Sequence, residues 1–400
     1  MNTRILATAA SLLFLAACTP AAEKPAQPAD PMAVHKSLLV LDTHIDTPIN
    51  FERKGWSFAD RHTPANDVVQ IDLPRMADGN LDGGFFAIYT AQGPLTAKGY
   101  ADALAFARHR SDVIDHEIAA HPDLIQPART ADDAERLAKA GKLIAFKSME
   151  NSYELGTDVS LLKEFYDRGV RLAGPVHSET NQFADSSGDK GKWDGLSPLG
   201  EKWVAEANKL GIVIDASHSA DATFDDMLEL SKTPILLSHS SPRWASDQPR
   251  NLDDARIRKL AAKGGAICMS TIYLSPMNLS PKRAKLFEQY EHISDLTPAQ
   301  QADYVRQWHE LDKTDHIWNT DFEHYMTALL HLIQVAGVDH VCFGGDWDGG
   351  GGFPGMDDIA ALPKVTGRLL KAGYSPADIG KMTSGNVLRI VRAAQAAAQH

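Results

Sequence analysis

Cysteine is scarce in this chain, three in 400 residues, which excludes a scaffold built on disulfides. Basic charge is in deficit. Against 52 Asp+Glu there are 40 Lys+Arg, a formal net charge of −12, so the basic face that nucleic-acid binding requires is missing. Long apolar runs are confined to the first 17 residues, and the rest is expected to be soluble. A phosphate-binding loop is also missing. Gly349-Gly350-Gly351-Gly352 follows a predicted strand but does not open a helix in the dinucleotide-binding pattern. What remains, 44% hydrophobic and 23% charged, is an ordinary globular composition, long enough for one large barrel or two domains.

The N-terminus reads as an address. Residues 5–17, after Arg4, are apolar or small, too short a run to span a bilayer and suited to a signal-peptide core. Leu15-Ala16-Ala17-Cys18 resembles a bacterial lipobox, whose cleavage leaves Cys18 lipidated. Residues 1–18 are then a signal peptide, 19–32 an Ala/Pro-rich tether and 33–400 the folded domain. The expected location is the bacterial envelope, periplasm-facing or at the cell surface, with the membrane reached only through the lipid. In that oxidising compartment Cys268 and Cys342 could pair. Both sit in apolar strand-like runs, and buried free thiols are expected.

Short β-rich runs recur at 38–42, 84–89, 143–148, 170–174, 212–216, 234–238, 266–270 and 340–344. Most are nearly continuous apolar strings, as in parallel strands buried on both faces. Helical candidates lie between them at 100–120, 159–168, 199–210, 222–231, 252–262 and 320–336. The alternation predicts an α/β fold, a (β/α)8 TIM-like barrel. Residues 271–335 form an extra helical insertion between strands 7 and 8, a cap near the mouth or an oligomer contact.

Polar residues follow these strands. His44 and Asp46 follow the first, Glu150 the third, His177 the fourth, His218 the fifth, His239 the sixth and Asp346 the eighth. One histidine at a strand end is more often structural than a ligand. In a barrel, however, all these ends meet at one mouth, and together they make a metal site. Imidazole and carboxylate donors without cysteine suit zinc, with manganese or cobalt as substitutes. His44 and Asp46, two apart on one face of an extended segment, can chelate one ion, and His218 with His239 a second. Glu150 lies between the pairs in strand order and can bridge. Two ions about 3.5–4 Å apart can bind a shared hydroxide and polarise a carbonyl, which is machinery for hydrolysis. Lys147, if carboxylated, offers a different bridge from inside its strand.

Ordered along the chain, several segments resemble the membrane (renal) dipeptidase family of zinc peptidases. They are Asp42-Thr43-His44-Ile45-Asp46-Thr47-Pro48, Gln70-Ile71-Asp72-Leu73-Pro74-Arg75-Met76, Val176-His177-Ser178, Ile214-Asp215-Ala216-Ser217-His218, Ser238-His239-Ser240-Ser241, Arg250-Asn251 and Gly344-Gly345-Asp346-Trp347-Asp348-Gly349. The resemblance spans roughly residues 35–395. It implies a (β/α)8 barrel holding two Zn2+ per chain, with His44 and Asp46 on one, His218 and His239 on the other, and Glu150 bridging. It also implies that His177 stabilises the oxyanion, Arg250 binds a substrate carboxylate and Asp346 carries the proton, with Asp348 its rival. The implied reaction is hydrolysis of dipeptides, including ones with a D-residue at the C-terminal side, and the implied assembly a homodimer. Asn151-Ser152-Tyr153 after the bridging glutamate and the 271–335 segment depart from the family pattern. Rival functions are another binuclear amidohydrolase, acting on N-acyl amino acids or lactones, and a non-catalytic zinc-binding surface lipoprotein.

Overall fold

The computed structural model describes residues 30–399, so the signal-peptide core and Cys18 lie outside the described residues. Residues 31 and 32, expected to close the tether, instead open the helix Pro31–Ser37, capped by Asp30. His35 on this helix is buried. Its Nδ1 lies 2.7 Å from Thr366 Oγ1 and its Nε2 2.8 Å from the Gly79 carbonyl, so this helix belongs to the packed unit. Among the described residues no helix is long and apolar enough to cross a membrane.

Among the described residues nine strands form: β1 (Leu41–Ile45), β2 (Gly83–Tyr89), β3 (Ile125–Pro127), β4 (Leu143–Glu150), β5 (Val170–Ala173), β6 (Val213–Ile214), β7 (Leu236–Ser240), β8 (Ala266–Met269) and β9 (Val341–Phe343). Every ladder between them is parallel. One sheet runs β1-β2-β4-β5-β6 and another β7-β8-β9. The bridges Asp215–Leu236 and Ile45–Trp347 join their edges, so the order returns to β1. β3 pairs with the first residues of β4 and was not expected, because three residues, one a proline, leave no alternation to read.

Most strand residues are buried on both faces, and successive side chains enter different cores. Phe85, Phe146, Leu172 and Leu236 join one cluster, closed off by Val387 and Ile390 of the helix Asn386–Ala397. Phe86, Ile88, Met149 and Ile214 join the larger one, which packs under the surrounding helices. Helix starts follow local chemistry. Ser197 caps Pro198–Leu210 through the Leu199 and Gly200 amides, and Thr297 with Gln300 forms a capping box on Pro298–Asp312.

Two expectations are corrected, and one alternative is removed. Cys268 and Cys342 are not free thiols but a disulfide. They lie 74 residues apart in sequence, and the β8–β9 register sets them opposite each other with Cα atoms 4.0 Å apart. β1, β4 and β7 end later than expected, so His44, Glu150 and His239 lie within strands rather than after them. Lys147 points away from the strand ends. Its Nζ donates to Asp115 Oδ2 at 2.7 Å and Ser111 Oγ at 3.0 Å on the helix Ala97–Ala120, which removes it as a bridge between metals.

Between β8 and β9 the chain leaves and returns at one point. Met277 and Trp318 pair in an antiparallel bridge, and the Asn278 amide donates to the Ile317 carbonyl at 2.9 Å. The helices Pro281–Tyr290 and Pro298–Asp312 lie between, packed on a small core of Leu286, Ile293, Tyr304 and Val305.

Candidate active site

The parallel strands end on one side, and their last residues meet there. His44 Nε2 lies 3.2 Å from Asp46 Oδ2 and 3.3 Å from Glu150 Oε2. The other Glu150 oxygen, Oε1, lies 2.9 Å from His218 Nε2 and 3.4 Å from His239 Nε2. The two Nε2 atoms of His218 and His239 are 2.8 Å apart, and the His44 and His239 rings stack at 3.8 Å. All five residues predicted as ligands are thus together, with one Glu150 oxygen on each pair.

These separations fit a cation. Four donors about 2.0–2.1 Å from a tetrahedral ion stand about 3.3 Å from one another. Both His44 ring nitrogens are buried without a hydrogen-bond partner. Burial works to lower the His44 pKa, yet the Glu150 and Asp46 carboxylates outweigh it and hold the ring well above its usual value. The surroundings therefore favour positive charge at that point. Burial, with Arg250 nearby, keeps His218 and His239 well below theirs, hence neutral, the form in which imidazole binds a metal.

Asp346 and Asp348 differ in what holds them. Asp348 accepts from Thr47 Oγ1 and the Gln70 amide, each at 2.6 Å, so both its oxygens are occupied. Asp346 Oδ1 faces His44 Nε2 at 3.8 Å, and its carboxylate falls in one donor group with His44 and His239. Burial, with the Asp46 and Glu150 charges, pushes the Asp346 pKa up to about 8, and burial pushes Asp348 to about 7. His177 stands at the cavity side, 3.8 Å from Glu150 Oε1, its ring edge-on to Tyr89 at 4.8 Å. Burial lowers its pKa, so it is a neutral N–H donor. Arg250 is half-buried. Its Nη1 donates to Ser240 Oγ at 2.7 Å and its Nη2 to the His239 carbonyl at 2.8 Å, while Nε is buried without a partner.

Backbone strain concentrates here. His218 (φ 66°), Asp346 (φ 60°), Asp348 (φ 65°), Asn151 (φ 70°) and Tyr273 (φ 54°) are left-handed without being glycine. The glycine cluster serves the same site. A side chain at Gly349 would run into the Asp46 and Asp346 carboxylates.

Residue-type reasoning assigned no role to the groups that aim the ligands. Asp42 accepts from the His44 amide (2.8 Å), the Gly345 amide (2.9 Å) and Trp347 Nε1 (3.0 Å), tying β1 to the loop after β9. Ser238 Oγ lies 2.7 Å from His239 Nδ1 and donates to Asp215. The signal available was position: Asp42 and Asp215 precede His44 and His218 by two and three residues.

A buried set of imidazoles and carboxylates at the carboxyl ends of parallel strands defines a metal-dependent hydrolase. Residues 29–400 match the model of the membrane dipeptidase family, peptidase family M19. The chain is 27% identical over 342 residues to dipeptidase tcpJ of Claviceps purpurea, covering 83% of this chain and 71% of that one. It is 27% identical over 328 residues to dipeptidase aclJ of Aspergillus oryzae, covering 80% and 69%. Its fold is similar to that of the probable dipeptidase PvdM from Pseudomonas aeruginosa, with TM-score 0.78, 28% identity and coverage of 92% and 98%. A metallopeptidase from Rhodobacter sphaeroides, liganded with a phosphinate mimic of L-Ala-D-Ala, shares the fold at TM-score 0.69 and 23% identity over 89% and 99% of the two chains. The chain belongs to the membrane dipeptidase family and is a metallo-dipeptidase.

Proposed function

We propose that this chain cleaves dipeptides using two zinc ions. His44 and Asp46 would hold one, His218 and His239 the other, and Glu150 would join them. The observation that carries this reading is the division of Glu150, Oε2 toward His44 and Oε1 toward His218 and His239. When bound, the ions would supply Lewis-acid polarisation of the scissile carbonyl and acidify the attacking water.

The protein's own groups do the rest. Neutral His177, facing the cavity, donates to the oxygen on which charge develops. Asp346, with no hydrogen-bonded partner competing for it, takes the proton from the water and returns it to the leaving amine. Arg250 takes the substrate carboxylate through its unpartnered Nε, with its Nη groups fixing the guanidinium plane. A carboxylate bound so near the donors leaves little room for a further C-terminal residue. The similarity to the Rhodobacter structure supports accepting a D-residue at that side. The joined sheets are read as a (β/α)8 barrel interrupted at 278–317. The N-terminus is read as a lipoprotein anchor at Cys18, which Cys18→Ser would release from membranes.

The test is a panel of L,L and L,D dipeptides, matched tripeptides and N-acetyl amino acids, with metal content measured. Chelator-sensitive cleavage of dipeptides alone, at two zinc ions per chain, is expected, with Arg250→Lys raising KM. Failure to cleave any dipeptide with both ions bound would sink the reading.

A further inference from the structure

The cavity beside the donor group is about 500 Å3, within the range of pockets that hold drug-sized ligands. A dipeptide with methyl side chains fills a small part of it. The unfilled part is apolar and has two walls. The segment between β8 and β9 contributes Met277, Phe287 and Tyr290, and the helix Ala97–Ala120 contributes Ala103 and Phe106. Phe106 and Met277 are 42% and 36% exposed, two of the few large apolar side chains left to water, and both line this cavity.

The first wall is fixed in place. Asn50 Nδ2 donates to the Tyr290 hydroxyl at 2.9 Å, Ser294 Oγ to the Ile49 carbonyl at 3.1 Å, and Trp318 Nε1 to the Gly350 carbonyl at 2.8 Å. Phe287 seats directly on Gly350, where a Cβ would come within 3.1 Å of the ring, and the positive φ there (+127°) also favours glycine. The apolar wall and the loop carrying Asp346 are thus one packed unit.

Apart from Arg110, charge on these walls sits at the rim. Asp102, Glu291 and His292 are exposed at the rim, and Asp102 pairs with Lys98 at 2.5 Å. Arg110 is a buried charge in the lining, with Nη1 donating to the Pro48 carbonyl and Glu52 3.9 Å away.

Building on the dipeptidase reading, we propose that the segment 278–317 selects the substrate. The enzyme takes dipeptides carrying a bulky apolar side chain, seated between Phe287 and Tyr290 on one wall and Ala103 and Phe106 on the other. Desolvating such a side chain against these walls favours it over a methyl group by roughly 10- to 200-fold in kcat/KM, the discrimination an apolar pocket gives per added apolar group.

The experiment measures kcat/KM of the zinc-loaded protein for dipeptides varied at one position among Ala, Leu, Phe and Glu, and then at the other position. Leu or Phe should exceed Ala by at least tenfold at one of the two positions. Phe287→Ala should lower that ratio about tenfold by removing a wall. Ala103→Phe, on a different element, should lower it by filling the space, with zinc content confirming that each variant is folded. Equal rates for Ala and Phe, a preference for Glu drawn by Arg110, or a ratio unmoved by both folded variants would overturn the proposal. Cleavage of no dipeptide at all would instead fail the reading on which it rests.

Discussion

Replacing Ser238 by alanine isolates how His239 is aimed. His239 turns Nε2 toward Glu150 and Nδ1 toward Ser238 Oγ, 2.7 Å away. With Nε2 free to bind a metal, Nδ1 carries the proton, and the hydroxyl passes the interaction on to Asp215. Asp215 Oδ1 is held separately by the Ser217 and Ser238 amides at 2.9 and 3.0 Å. The substitution therefore leaves two buried groups unpaired, Nδ1–H and one Asp215 oxygen, while the backbone contacts remain. Loss of the outer hydrogen bond should weaken metal binding about 10- to 100-fold, which is about 1.4–2.7 kcal/mol. The unpaired groups should also cost roughly 1–3 kcal/mol of folding stability. Competition with a chromophoric chelator separates the effects, because under the proposed two-ion arrangement only the ion assigned to His218 and His239 should weaken. Equal weakening of both ions, or unchanged affinity alongside a lower Tm, would refute the relay and leave Ser238 a packing residue.

Asp346→Asn should lower kcat about 10²- to 10⁴-fold with little change in KM, as expected for loss of a proton carrier. Asp348→Asn should instead cost about 1–3 kcal/mol of stability by disturbing Thr47 and Gln70, and steady-state rates of the folded protein would show the opposite ranking if the roles were reversed. Burial works to raise the Asp67 pKa, but His62 (3.1 Å) and Arg53 (2.8 Å) outweigh it and hold it at about 2. A depressed folded pKa adds stability above the unfolded value of 3.8 that is lost as pH falls toward 2. Urea midpoints should therefore drop between pH 4 and pH 2 by the equivalent of roughly 2 kcal/mol, and Asp67→Asn should remove that component. Cys268→Ser with Cys342→Ser opens a closure of 74 residues and should cost up to about 4 kcal/mol in urea unfolding without reductant. Unchanged stability there would deny the disulfide its structural role.

Much of this protein is legible in one dimension because its chemistry is local to strand ends. Apolar strings such as 84–89 and 143–148 declare buried parallel strands, and the polar residues at the ends of six of the eight declare which end carries function. His44, Asp46, Glu150, His218 and His239 could thus be chosen as candidate ligands before any distance was known. Tertiary structure decided what depends on register and approach. The β8–β9 register made Cys268 and Cys342 a disulfide, a pairing that 74 intervening residues conceal. Side-chain direction excluded Lys147, because a residue on the outer face of β4 meets the helix and not the mouth. The packing of Thr47 and Gln70 occupied Asp348 and left Asp346 facing His44, a distinction that two acidic residues two positions apart cannot carry by themselves. Residue type and spacing determine which groups can reach the mouth. The fold decides which of them are already satisfied when they get there, because hydrogen-bond partners come from segments far away in the chain.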